Sequence, residues 1–131
     1  MLEQLIFYLT SIILGMMMFF SFAVAPTTFK LLDEKNARSF IRGIFPIYYI
    51  LNLIISLLAI FIFIYIGDFS LNFYLMSSVG LMFIFSNFAL MPLINKYRDN
   101  GQERKFKISH FISVLINFVQ IILLIVILSN T

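Results

Sequence analysis

Residues 19–46 read FFSFAVAPTTFKLLDEKNARSFIRGIFP. The stretch holds the end of one apolar helix, a proline, a lysine, a basic amphipathic segment and a second proline. It is the first place after Glu3 where charge interrupts the chain. Working outward, residues 4–29, 43–67, 69–95 and 108–131 carry no charge at all. A helix needs about 20 apolar residues to cross the hydrocarbon of a bilayer. Each run meets that length. Backbone polar groups in lipid must be satisfied within the segment, which selects helices. The runs are continuously apolar and do not alternate, which excludes a β-barrel. The sequence therefore predicts an all-α polytopic membrane protein, a single domain with spans near 5–28, 47–66, 72–94 and 107–129.

Composition agrees. The 131 residues are 62% hydrophobic and 11% charged, against about half and a quarter in soluble domains. Four spans leave no room for a soluble domain. Cysteine is absent, so a disulfide framework, a thiolate metal site and a thiol nucleophile have no residues to build on. Ala23-Val24-Ala25 resembles a cleavage site. The segment before it is too long for a signal peptide and lacks a basic start, so a retained helix is expected.

The net charge of +3 is placed, not spread. All nine Lys and Arg fall at 30–42 and 96–107, while both ends of the chain and the 67–71 turn have none. This is a membrane-surface distribution and not a nucleic-acid signal. The positive-inside rule puts loops 29–46 and 95–106 in the cytoplasm and both termini outside, as in a bacterial inner membrane. Between the first two spans, Ala37, Phe40, Ile41, Ile44 and Phe45 recur at helical spacing. Lys35, Arg38 and Arg42 are assigned to the opposite face. Asp33 suits an N-cap with Glu34 in the first turn. Residues 34–45 thus predict a short interfacial helix, basic side toward anionic headgroups, ended or kinked by Pro46.

Chemistry-bearing residues are few. Polar groups inside spans are the natural functional candidates. His110, Ser113, Asn117 and Gln120 form one stripe on the fourth span, expected to face the bundle interior. Tyr48, Asn52 and Ser56 lie along the second span, and Gly80, Asn87 and Met91 along the third. His110, Asn117, Asn52, Asn87, Ser113 and Tyr48 are expected to meet in one polar pocket in the cytoplasmic half. The plainer reading is that these groups hydrogen-bond between helices, each contributing roughly 0.6–2 kcal/mol. One histidine, no cysteine and no carboxylate within a span offer no catalytic residue and no metal ligand set, and the cofactor is left unknown, none being indicated. Met16-Met17-Met18 invites a copper(I) reading, but consecutive helical residues point about 100° apart. Ser11 and Gly15 form a small-xxx-small pair suited to close helix packing, within the bundle or between copies. Ser21/Ser86 and Asn52/Asn117 are each 65 residues apart and Pro26/Pro92 are 66 apart, which suggests a parallel internal repeat.

The segments 19–30 and 37–49, together with MPLINKYRD at 91–99 and HFISVLIN at 110–117, resemble the transmembrane-protein-205-like family of small four-helix membrane proteins. The resemblance covers nearly the whole chain. It implies a four-helix integral membrane fold and carries no catalytic residues with it. Anthrone-oxygenase-like and copper-resistance-type membrane domains share only an apolar helix ending in Ala-Pro. Three functions fit these observations. The first is a small-molecule or ion binding or transport module, expected to oligomerise because four helices make a small path. The alternatives are a structural or interaction subunit built on the 34–45 surface, and a cofactor-dependent membrane oxidoreductase. Whether the protein is an enzyme is left open. The expected partner throughout is the lipid bilayer.

Overall fold

The computed structural model describes all 131 residues. It has four helices: α1 (Leu2–Leu31), α2 (Glu34–Ile66), α3 (Leu71–Asp99) and α4 (Glu103–Ser129). All four are long and apolar enough to cross a membrane. This is a four-helix, multi-pass membrane protein with no strands. The helices form a ring in which each packs on its chain neighbours and α4 closes against α1. The turns are built by identifiable signals. Asp33 caps α2, its side chain accepting from the Asn36 amide at 3.2 Å. Gly67 ends α2 in the left-handed conformation, φ 72°, where a side chain would be strained. Gly101 does the same between α3 and α4, at φ 68°.

The bundle has two unlike ends. At one, α1 begins, α2 turns into α3, and Asn130 donates to Asn72 at 3.2 Å. At the other lie all the lysines and arginines, and we call it the basic end. The tightest core sits in the half away from the basic end. There Ile13, Met17, Ala59, Phe63, Met76, Val79, Phe83 and Leu124 are all at most 2% exposed. Gly80 brings α3 close to α2: a Cβ there would stand 3.3 Å from the Ile60 Cδ1. Gln120 donates to the Val79 carbonyl at 3.1 Å and is itself buried. The outward faces are large and apolar, as a lipid-facing surface must be. Met17 is buried while Met18 faces out, so the methionine run does not converge. Gly15 is exposed with open space beside it, so its small size serves no contact within this bundle.

Residues 34–45 depart from expectation. They are helical, but they form the first turns of α2, which runs unbroken through Pro46 to Ile66. A 33-residue helix is about 50 Å long and outreaches a hydrocarbon layer of about 30 Å. Its extra turns stand upright because they are tied to the end of α3. The Arg42 guanidinium donates to Asp99 at 2.6 Å and to the Asn95 carbonyl at 3.4 Å. Arg98 reaches Glu34 at 3.3 Å.

Two five-residue π turns interrupt the ring, Phe20–Val24 in α1 and Ser86–Leu90 in α3. Each is followed, one residue later, by a proline. A proline has no N–H to donate and crowds the carbonyl four residues back. The wider turn shifts the register just before it. The Ala25 amide bonds to the Phe20 carbonyl and the Met91 amide to the Ser86 carbonyl, each five residues back. The two turns start 66 residues apart, the offset of the prolines in the repeat read from the sequence.

Candidate functional site

The π turn in α1 is where the ring opens. In the half away from the basic end α1 packs along α4. Beyond the turn it leaves: no Cα of residues 20–31 comes within 8 Å of α4. The space left is a cavity of about 640 Å³, within the range of ordinary ligand pockets. Along α4 it extends from Phe106 to Ile121. At about 1.5 Å per residue that is a depth of about 22 Å.

Its floor is polar and connected. Asn117 of α4 accepts from the Tyr48 hydroxyl at 3.2 Å and donates to the Ser21 hydroxyl at 2.8 Å. One amide thus ties α2, α4 and the π turn of α1 across a gap their backbones do not bridge. Tyr48 is held from behind by stacking on Phe20, with centroids 4.2 Å apart. Phe45 packs edge-on against Phe20 at 5.0 Å, and Tyr49 lies beside Tyr48 at 5.3 Å. Tyr48 and Tyr49 are both buried, 6% and 7% exposed, so the hydroxyl of Tyr48 has a fixed aim.

The mouth is charged. Glu34 Oε1 bonds both Arg38, at 2.9 Å, and Arg98, at 3.3 Å. Arg98 also lies over the Phe106 ring at 4.7 Å, and Phe106 stacks on His110 with centroids 5.8 Å apart. A ladder of charge, ring and imidazole therefore leads from the mouth into the cavity. The Arg38 Nε is buried and has no partner. Asp99, in the segment beyond the third span, is held below the usual carboxylate range by its hydrogen bond from Arg42. Most of the wall is apolar, with Phe22 and Phe29 on α1 and Val114 and Phe118 on α4, and His110 and Ser113 interrupt it.

Of the residues expected to share a pocket, Tyr48, His110, Ser113 and Asn117 do line the cavity. Asn52 and Asn87 do not. Asn52 is fully buried, its amide donating to the Tyr48 carbonyl one turn back at 2.8 Å. Asn87 is buried within the π turn of α3. Both leave a buried carbonyl oxygen without a protein partner. His110 lines the cavity at its exposed rim, and the stripe sinks inward only from Ser113 through Asn117 to Gln120. Arg38 and Arg42 do not point away from Ala37, Ile41 and Phe45. All five line the same cavity, while Lys35 stays exposed and Phe40 turns outward. Arg42 is held by Asp99, and this overrides the outward assignment of the basic face.

Several site residues escaped the reading of the sequence. Ser21 is a polar group within a span and could have been ranked by that rule alone. Glu34, Arg98 and Phe106 carry no local signal, because their roles depend on two loops meeting at one end. The residues of the floor and mouth include no cluster of three or more His, Cys, Asp or Glu.

Residues 8–103 match the family described as a domain of unknown function, DUF4149. A protein of Aquifex aeolicus described as uncharacterized is 30% identical over 123 residues, covering 94% of this chain and 91% of its own. No solved structure matches the chain.

Proposed function

This chain belongs to the DUF4149 family, and from that premise we propose that it is a small-molecule binding module of the membrane whose site is the cavity between α1 and α4. One observation carries the reading: the bridge from Tyr48 through Asn117 to Ser21 holds a polar floor under a space of ligand size. Interhelical hydrogen bonds that served packing alone would draw the helices together. These span a gap. The distribution of lysine and arginine supports loops 29–46 and 95–106 in the cytoplasm and both termini outside, which places the site in the cytoplasmic half. The bacterial relative supports a bacterial inner membrane. The resemblance to transmembrane-protein-205-like proteins belongs to the same reading. An interaction surface on 34–45 has less to offer, since Arg38 and Arg42 are spent on the cavity side.

The reading is tested by native mass spectrometry of protein extracted from its own membrane in mild detergent. Wild type carries a bound mass. Ser21→Phe, which fills the floor, releases it while the melting temperature stays close to wild type. Asn117→Leu weakens it. Full retention of the mass by Ser21→Phe, or no bound mass on wild type, refutes the assignment.

A further inference from the structure

The cavity also indicates the chemistry of its occupant. The inference rests on reading the cavity as a binding site. Its polar end holds Arg38, Arg42, Arg98 and Glu34. Arg42 is engaged by Asp99 and the Asn95 carbonyl. Arg38 and Arg98 share a single oxygen of Glu34, so two guanidiniums face one carboxylate. The buried Nε of Arg38 is a charged donor with nothing to bond. An unpaired buried donor is destabilising, and an anion at that point removes the cost. A guanidinium is also the group best matched to phosphate or carboxylate oxygens.

The remaining surface is wrong for a small soluble anion. Below the arginines the walls are mostly apolar, with His110 and Ser113 among them, and they reach the outer face of the bundle. Phe22 and Phe29 on one side, and Phe118 on the other, are 60%, 63% and 49% exposed. Phe22 and Phe118 lie on spans whose outward faces meet lipid, and Phe29 stands just beyond the first span. The opening is therefore lateral, between α1 and α4. Charge at the level of headgroups, joined to an apolar slot open to acyl chains, matches a molecule with both parts. We propose that the cavity takes one anionic amphiphile from the bilayer, its head at Arg38 and Arg98 and its chain leaving between α1 and α4.

The chain contains no tryptophan, so one introduced residue reports alone. Phe118→Trp places it on the wall of the opening. Phe111→Trp, on the same helix but outside the cavity and 65% exposed, reports ordinary lipid contact. Each variant is placed in nanodiscs of phosphatidylcholine with a small fraction of brominated phosphatidylglycerol or brominated phosphatidylcholine. The ratio of anionic to zwitterionic quenching should be several-fold higher at position 118 than at position 111. Arg38→Gln with Arg98→Gln should bring the two ratios together, and Arg38→Lys with Arg98→Lys should keep much of the difference. Equal ratios in the parent proteins overturn the proposal, as does a difference that survives the glutamine pair. Loss of the difference in millimolar inorganic phosphate assigns the site to a free anion and also overturns it. Preferential quenching at position 118 by a brominated neutral detergent, with none by the anionic lipid, leaves the binding site standing and overturns only the anionic head.

Discussion

Phe20–Val24 in α1 and Ser86–Leu90 in α3 are both five-residue π turns set just before a proline, yet their surroundings differ. The turn in α3 is packed from two sides, by α2 and by α4, and Ser86, Asn87 and Leu90 are buried there. The nine residues that follow stay along α4. The turn in α1 touches neither α2 nor α4 with its backbone, and residues 25–31 lean on α2 alone. Phe22 and Phe29 are left outside. The same local device closes one corner of the bundle and opens the other. A π turn with a following proline permits a change of direction. What lies opposite decides whether the space is filled.

That contrast is sharpest in the core. Leu90→Ala should destabilise the protein by about 2–5 kcal/mol, because Leu90 is 4% exposed and its loss leaves a void. Phe22→Ala, at 60% exposure, should change stability by about 0.5 kcal/mol or less. Unfolding in mixed dodecyl sulfate micelles compares them directly. Similar losses at both positions would break the distinction between a closed and an open corner.

A smaller effect is expected where the open corner is tethered. Asn117→Ala removes both the Tyr48 and the Ser21 bonds, for about 1 kcal/mol of stability. The local consequence should be clearer than the global one. A spin label at position 29 should gain mobility, and one at position 93 in α3 should not. Equal mobility changes at the two sites would show that Asn117 does not hold the corner.

The smallest effect concerns the mouth. The Arg42–Asp99 pair is partly exposed, so its removal should matter little and less in salt. It should leave a pH signature. The Asp99 carboxyl is lowered in the folded protein by the hydrogen bond from Arg42. Its contribution is therefore present above the unfolded carboxylate value and lost as pH falls through the lower folded value. Arg42→Gln should flatten that acid limb, its small loss of stability showing at neutral pH and vanishing in acid. An acid limb identical to wild type would show that Asp99 is held by something else.

Much of the architecture was legible because hydrophobic length is a local quantity. Four uncharged runs required four helices, and Asp33 and the charged loops bounded them. Tyr48, Ser113 and Asn117 were legible as polar groups in lipid, which must find partners. Asn52 and Asn87 met the same rule and landed elsewhere, because helical spacing sets a face but not the depth at which helices part. The arginines failed for a related reason. On a helix wheel Arg38 and Arg42 lie between the apolar stripe and the far side. Only the presence of Asp99 and Glu34 at the same end turns them inward.

The amino-acid sequence by itself determined the number of spans, the shared side of the two basic loops and the Asp33 cap that starts α2. All of these follow from the few residues around each position. Tertiary structure alone decided that α1 parts from α4 after Phe20, that Ser21 and Asn117 meet across the gap, and that the stretch 34–45 rises as part of α2. These depend on contacts between residues as much as 96 positions apart. In a chain whose helices are apolar on every side, the local pattern does not state which faces will meet.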